Sequence, residues 1–172
     1  INTIDQDREK PFTEGGDQPV EAYNTSGIDE AQLTLIKKAL WDKETKIEFY
    51  KPEMESHVSH SIINWQHNYT DDTDYIEVQT DTIFSILESK KINKRQIKLV
   101  KFDIEGAEIE VISDMMEGDF CPNQILVEFD ELHNPSKKAI KRVDRIHKLL
   151  AENGYVVIYT DGIADFLYFK EQ

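Results

Sequence analysis

The sequence contains a single cysteine, Cys121, among 172 residues. One thiol excludes an intramolecular disulfide and any zinc site built mainly from thiolates, and makes a reducing, cytoplasmic compartment the expectation. Cys121 precedes Pro122 with no basic residue close by, so it reads as an inert thiol. No run of about 18 apolar residues is present, which excludes an ordinary transmembrane helix, and no basic-then-apolar segment suggests a secretory leader. Positive charge is scarce: 20 Lys and Arg face 34 Asp and Glu, a net charge of −14. Phosphates are repelled by most of such a surface, which argues against nucleic acid and anionic membranes as main partners. The chain has no Walker loop, no nucleophile elbow and no G-x-G-x-x-G. Gly15-Gly16 lies in a polar stretch and follows no strand, so it lacks the context of a nucleotide loop. Internal repeats and low-complexity tracts are also missing. The sequons at Asn24 and Asn68 are short enough to arise by chance.

What is present points to a folded domain. Hydrophobic residues make up 39% and aromatics 10%, enough for a core that strong acidity alone would not predict. Residues 1–31 are polar and read as an N-terminal arm or remnant, and 32–172 as one α/β domain. Residues 28–41 are ambiguous between helix and strand. Lys46–Tyr50 alternates like a strand, and residues 53–74 read as a long loop. Tyr75–Thr80 is a strand with one polar face, and Asp81 is expected to cap a helix carrying Ile83, Phe84, Ile86 and Leu87. Ile97–Phe102 is a strand. A helix over 107–117 follows, with Ile109, Ile112 and Met116 on one side. Gln124–Phe129 has the apolar run of a buried parallel strand. The clearest helix runs from about Ser136 to Asn153, with Asn134 as its cap and Ala139, Ile140, Val143, Ile146, Leu149 and Leu150 as its apolar stripe. Its basic outer face reads as a solvated surface. Tyr155–Tyr159 and Phe166–Phe169 form a hairpin. The order is therefore β-α-β-α-β-β, parallel through the crossovers, with an antiparallel last strand.

In open α/β sheets, ligands bind at the carboxyl ends of the strands, and two acidic clusters fall there. Asp103-Ile104-Glu105-Gly106 follows one buried strand. Glu128, Asp130 and Glu131 lie in and after the next, followed by His133. Asp103 and Glu105 flank one residue, so an extended backbone would turn both toward one pocket. Gly106 allows close approach of a ligand. Such carboxylates position a hydroxyl, act as a general base or hold a hard cation. Capping of the following helix is an equally strong reading. The plainer reading of His133 is a loop residue. His57 and His60 are spaced like a metal pair but lack a third ligand, and a surface-loop role is favoured. Trp41 and Trp65 read first as partly buried core.

The string IKLVKFDIEGAEIEVI resembles the signature of the FkbM-type methyltransferases, which depend on S-adenosylmethionine. KKALWDKETKIEFYKP, HVSHSI, YIEVQTDTIFSIL, QILVEFDELH and GYVVIYTDGIADFLYF resemble further family segments in the same order, over about residues 32–170. The resemblance implies a Rossmann-like class I methyltransferase sheet, mostly parallel with an antiparallel C-terminal strand. It makes Leu33–Leu40 a sheet strand, puts Ala39, Leu40 and Trp41 near the cofactor's adenine, and places Asp103, Glu105 and Glu128 where methyl group and substrate meet. Gly106, His133 and His60 become candidate substrate or loop contacts, with no metal among the expected groups. It implies O-methylation of a small molecule or sugar. The family's first strand, glycine-bearing cofactor loop and acidic second-strand end have no counterpart here. The N-terminal part is thus expected to be missing, and a non-catalytic binding or scaffold domain is the alternative reading.

Overall fold

The computed structural model describes residue 34 and residues 36–50, 73–133 and 135–171. Among the described residues seven strands form two mixed sheets, accompanied by three α-helices. The first sheet joins β1 (Ala39–Leu40), β2 (Lys46–Tyr50) and β3 (Tyr75–Asp81) in the order β1-β3-β2. The second joins β4 (Leu99–Phe102), β5 (Gln124–Glu128), β6 (Tyr155–Thr160) and β7 (Asp165–Lys170) in the order β4-β5-β7-β6. The helices are α1 (Ile83–Ser89), α2 (Glu108–Glu117) and α3 (Lys137–Glu152). Among the described residues no helix is long and apolar enough to cross a membrane.

The α/β class and the antiparallel last strand are as expected, and the strands form mixed sheets. Among the described residues β1–β3 and β4–β5 pair in parallel, and β2–β3, β5–β7 and β6–β7 are antiparallel. Connection length explains the second sheet. α2 supplies the crossover that parallel pairing of β4 with β5 requires, whereas the link between β6 and β7 is too short for anything but a hairpin. β7 therefore enters antiparallel, between β5 and β6. Asp161 shapes that link, its Oδ1 accepting from the backbone N–H of Ile163, Ala164 and Asp165 at 2.8, 3.0 and 3.0 Å.

The helices follow their apolar periods, with two corrections at their starts. Thr82, not Asp81, caps α1: its Oγ1 accepts from Ser85 N at 3.0 Å. β3 runs on to Asp81, whose carbonyl accepts from Trp41 N across to β1 and whose carboxylate accepts from Lys38 Nζ at 2.7 Å. Ser136 caps α3 by accepting from Ala139 N at 3.0 Å; Asn134 lies outside the described residues. α3 buries Ala139, Val143, Ile146 and Leu150, while Ile140 stays 43% exposed. A stripe centred on Ala139 and Val143 turns Ile140 about 100° away from the core. α2 buries Ile109, Val111, Ile112, Met115 and Met116.

Together α2 and α3 cover one face of the second sheet, over Phe102, Ile125, Val127, Phe129 and Tyr168, all buried. Each such side chain contributes about 1.5–3 kcal/mol by leaving water. α3 is also pinned to β7, with Tyr168 Oη and His147 Nδ1 2.6 Å apart. Phe84 of α1 meets Phe120 edge-on at 6.5 Å, just beyond the end of α2. There Gly118 leaves space for the Phe84 ring, and a Cβ at this position would overlap it. Gly118→Ala is expected to displace Phe84 and lower stability by about 1–3 kcal/mol, measured as a fall in the thermal midpoint.

Candidate active site

Parallel pairing brings the two acidic clusters together. Phe102 stands beside Val127 at the carboxyl ends of β4 and β5, so the turn after β4 and the segment after β5 leave the sheet side by side. Asp103 opens the first and Glu128 is the last strand residue of the second. Asp103 accepts from Lys101 Nζ at 2.6 Å. Glu128 Oε1 lies 2.8 Å from His133 Nε2, so these two of the singled-out residues are in direct contact.

The backbone at Asp103–Gly106 is a tight turn, not the extended segment expected. Glu105 has φ +57° and Gly106 φ +95°. Gly106 enters this region without steric cost; a residue with a Cβ, such as Glu105, does so at roughly 1–2 kcal/mol. The capping alternative is corrected as well. The cap position of α2 is Ala107, which has no side-chain capping bond. The carboxyl that serves this turn is Glu108, the first residue of α2. It is 1% exposed, and its two oxygens accept from Ile104 N at 2.8 Å and Gly106 N at 3.0 Å.

After β5, a 3-10 turn over Asp130–Leu132 buries Asp130 and Glu131. Burial pushes the Asp130 carboxyl up to about 7, reinforced by Glu105 and opposed by His133. Burial likewise pushes Glu108 up to about 8, opposed by the backbone N–H groups of Ile104 and of Glu108 itself, which favour its charged form. Glu131 is raised by burial, with Arg142 opposing. Arg142 Nη2 donates to Glu110 Oε1 at 2.7 Å, and its Nε is 3.6 Å from Glu131 Oε1. Among the described residues no three His, Cys, Asp or Glu side chains are arranged to hold a metal ion.

The remaining expected residues lie elsewhere. Ala39, Leu40 and Trp41 sit in and just after β1, in the other sheet, with Leu40 and Trp41 packed against the core. His60 lies outside the described residues. Sequence reasoning passed over Glu108 and gave Asp130 no role of its own. The signal for Glu108 was its place two residues after Gly106, at a helix start, where a carboxylate can reach back to turn amides.

A family model described as Methyltransferase FkbM domain matches residues 18–157. The chain belongs to the FkbM methyltransferase family. Comparison with curated proteins and with solved structures yields no significant match. The FkbM match begins before β1 and closes within β6, so it takes in both acidic clusters. FkbM methyltransferases generally use S-adenosylmethionine. One feature of this FkbM domain suits that cofactor: beside Trp41, the buried Oδ1 of Asp42 has no hydrogen-bond partner among the described residues. An adenine amine or ribose hydroxyl is the kind of donor such an orphaned acceptor lacks.

The raised carboxyls have a consequence for stability. Asp130 and Glu108 start from 3.8 and 4.5 and rise to about 7 and about 8 on folding. Between these limits the folded state holds protons that the unfolded state has released. Their contribution is therefore full below about pH 4 and lost as pH rises to about 8. Urea melts at pH 5 and pH 8 are expected to show this loss, and Asp130→Asn a shallower slope.

Proposed function

We propose that this FkbM domain transfers a methyl group from S-adenosylmethionine to a hydroxyl oxygen of a small molecule or sugar. The observation that carries the reading is the convergence of Asp103, Glu105 and Glu128 at the adjoining ends of β4 and β5, within a chain of this family. The sheet order β4-β5-β7-β6, with antiparallel β7 inserted beside β5, supports treating this sheet as part of a Rossmann-like methyltransferase sheet. When bound, S-adenosylmethionine supplies a sulfonium methyl group open to in-line displacement. Ala39, Leu40 and Trp41 would line its adenine, with Asp42 as a polar partner.

The residues of the chain supply orientation and a proton sink. The acceptor hydroxyl donates to a carboxylate of Asp103 or Glu105 and is held in line. With the cofactor bound, that carboxylate would take up the hydroxyl proton as the acceptor oxygen gains its methyl group. Holding the two reactants in register accounts for much of the rate, and the carboxylate adds about 10²–10⁴-fold as a general base. Glu128 and its partner His133 border the same space, and Gly106 leaves room beside the turn. A neutral or cationic acceptor fits this acidic surroundings; nucleic acid and anionic membranes do not.

Isothermal titration of the purified protein with S-adenosylmethionine is expected to show binding at or below about millimolar ligand; no heat in that range overturns the reading. Asp103→Asn and Glu105→Gln are each expected to lower kcat by about 10²-fold or more while leaving the thermal midpoint nearly unchanged. A matching loss of stability and activity would assign these carboxylates to the fold instead.

A further inference from the structure

We propose that Glu108 is the positioning residue of this site: its buried carboxyl group clamps the turn that presents Asp103 and Glu105. The catalytic consequence rests on the methyl-transfer reading; the clamp itself does not.

The argument starts from the turn. Glu105 carries a side chain yet sits at φ +57°, next to Gly106 at φ +95°. A non-glycine residue stays in the left-handed region only where its surroundings hold it there. Asp103 and Glu105 themselves are half-buried. The Asp103 carboxylate is drawn to Lys101 on β4, which fixes one end of the turn to the sheet.

Glu108 holds the other end. Its Oε1 accepts from Ile104 N and its Oε2 from Gly106 N, at 2.8 and 3.0 Å. The two amides flank Glu105, so one carboxyl group bridges across the strained residue. A carboxylate at the start of a helix already gains from the helix dipole, but both oxygens here reach back out of α2 into the turn. The side chain is 1% exposed and feels two further acids, Asp130 and Glu131, from the segment after β5. Burying an acid among other acids is unfavourable. Pairing two backbone donors that would otherwise be buried without partners is what offsets that cost. The chain therefore places a carboxyl where the turn needs two acceptors at once, which neither an amide nor a shorter acid supplies.

Three measurements test this. In Glu108→Gln, amide exchange at Ile104 and Gly106 is expected to accelerate by about tenfold or more, while the amides of Val143 and Ile146 in α3 keep their protection. Unchanged exchange at Ile104 and Gly106 overturns the clamp, whatever happens to activity. In the unaltered protein, which removes any dependence on a variant that folds poorly, the amide proton shifts of Ile104 and Gly106 are expected to follow the Glu108 carboxyl carbon through one shared titration in NMR. Amide shifts that ignore that titration overturn the clamp. With acceptor and S-adenosylmethionine, Glu108→Gln is expected to lose about tenfold in kcat with little change in KM for S-adenosylmethionine, and Glu108→Asp to give no rescue, because its shorter side chain cannot span both amides. A purely structural Glu108 would lower stability and leave kcat of the folded fraction intact, which overturns positioning. Loss of methyl transfer in the unaltered protein with the amide results intact counts against the methyl-transfer reading alone.

Discussion

A single carboxyl group at the start of α2 governs how this domain displays its chemistry. Glu108 is buried where charge is costly, and it is kept there by the two turn amides it accepts from. The turn in question leaves β4 beside the end of β5, and the parallel pairing of those strands sets the distance between the two acidic segments. The pairing in turn depends on α2 returning the chain along the face of the sheet, with Ile109, Ile112, Met115 and Met116 packed into the core. Packing, pairing and the position of the carboxylates are thus one arrangement.

The site is acidic in an unusual way. Asp103 has a cationic neighbour in Lys101 and Glu128 a close partner in His133, whereas Asp130 and Glu108 are pushed toward neutrality by burial, reinforced by Glu105 at Asp130 and by Asp130 at Glu108. Carboxyls whose environments drive them apart in this manner can divide the work of orienting a hydroxyl and accepting its proton. That division is an outcome of depth within the fold, since all of these side chains are of the same two chemical types.

Much of the fold was legible along the chain. Alternation marked β2 and β3, the apolar run marked β5, and the period of 3.6 marked α2 and α3, because side-chain direction repeats with the backbone. The spacing of Phe166–Phe169 after Tyr155–Tyr159 announced the hairpin. Helix starts were less legible: Asp81 and Thr82 are both good caps, and the choice went to Thr82 because β3 keeps Asp81 for its pairing with β1 and for Lys38. Of the site, the carboxylates at the strand ends could be found from strand boundaries alone. Glu108 could not, since an acid in the first turn of a helix is ordinarily exposed and unremarked.

By itself the sequence determined that this is an α/β domain with acidic residues at the ends of its buried strands, and the string from Ile97 to Ile112 tied it to the FkbM methyltransferases. These are local matters, fixed by residue type and period. Only the tertiary structure decided that the strands form two mixed sheets, that Asp103–Gly106 turns instead of extending, and that burial pushes Asp130 and Glu108 toward their protonated forms. Each of those depends on which groups from distant parts of the chain are brought together and withdrawn from water, and no local pattern carries that information.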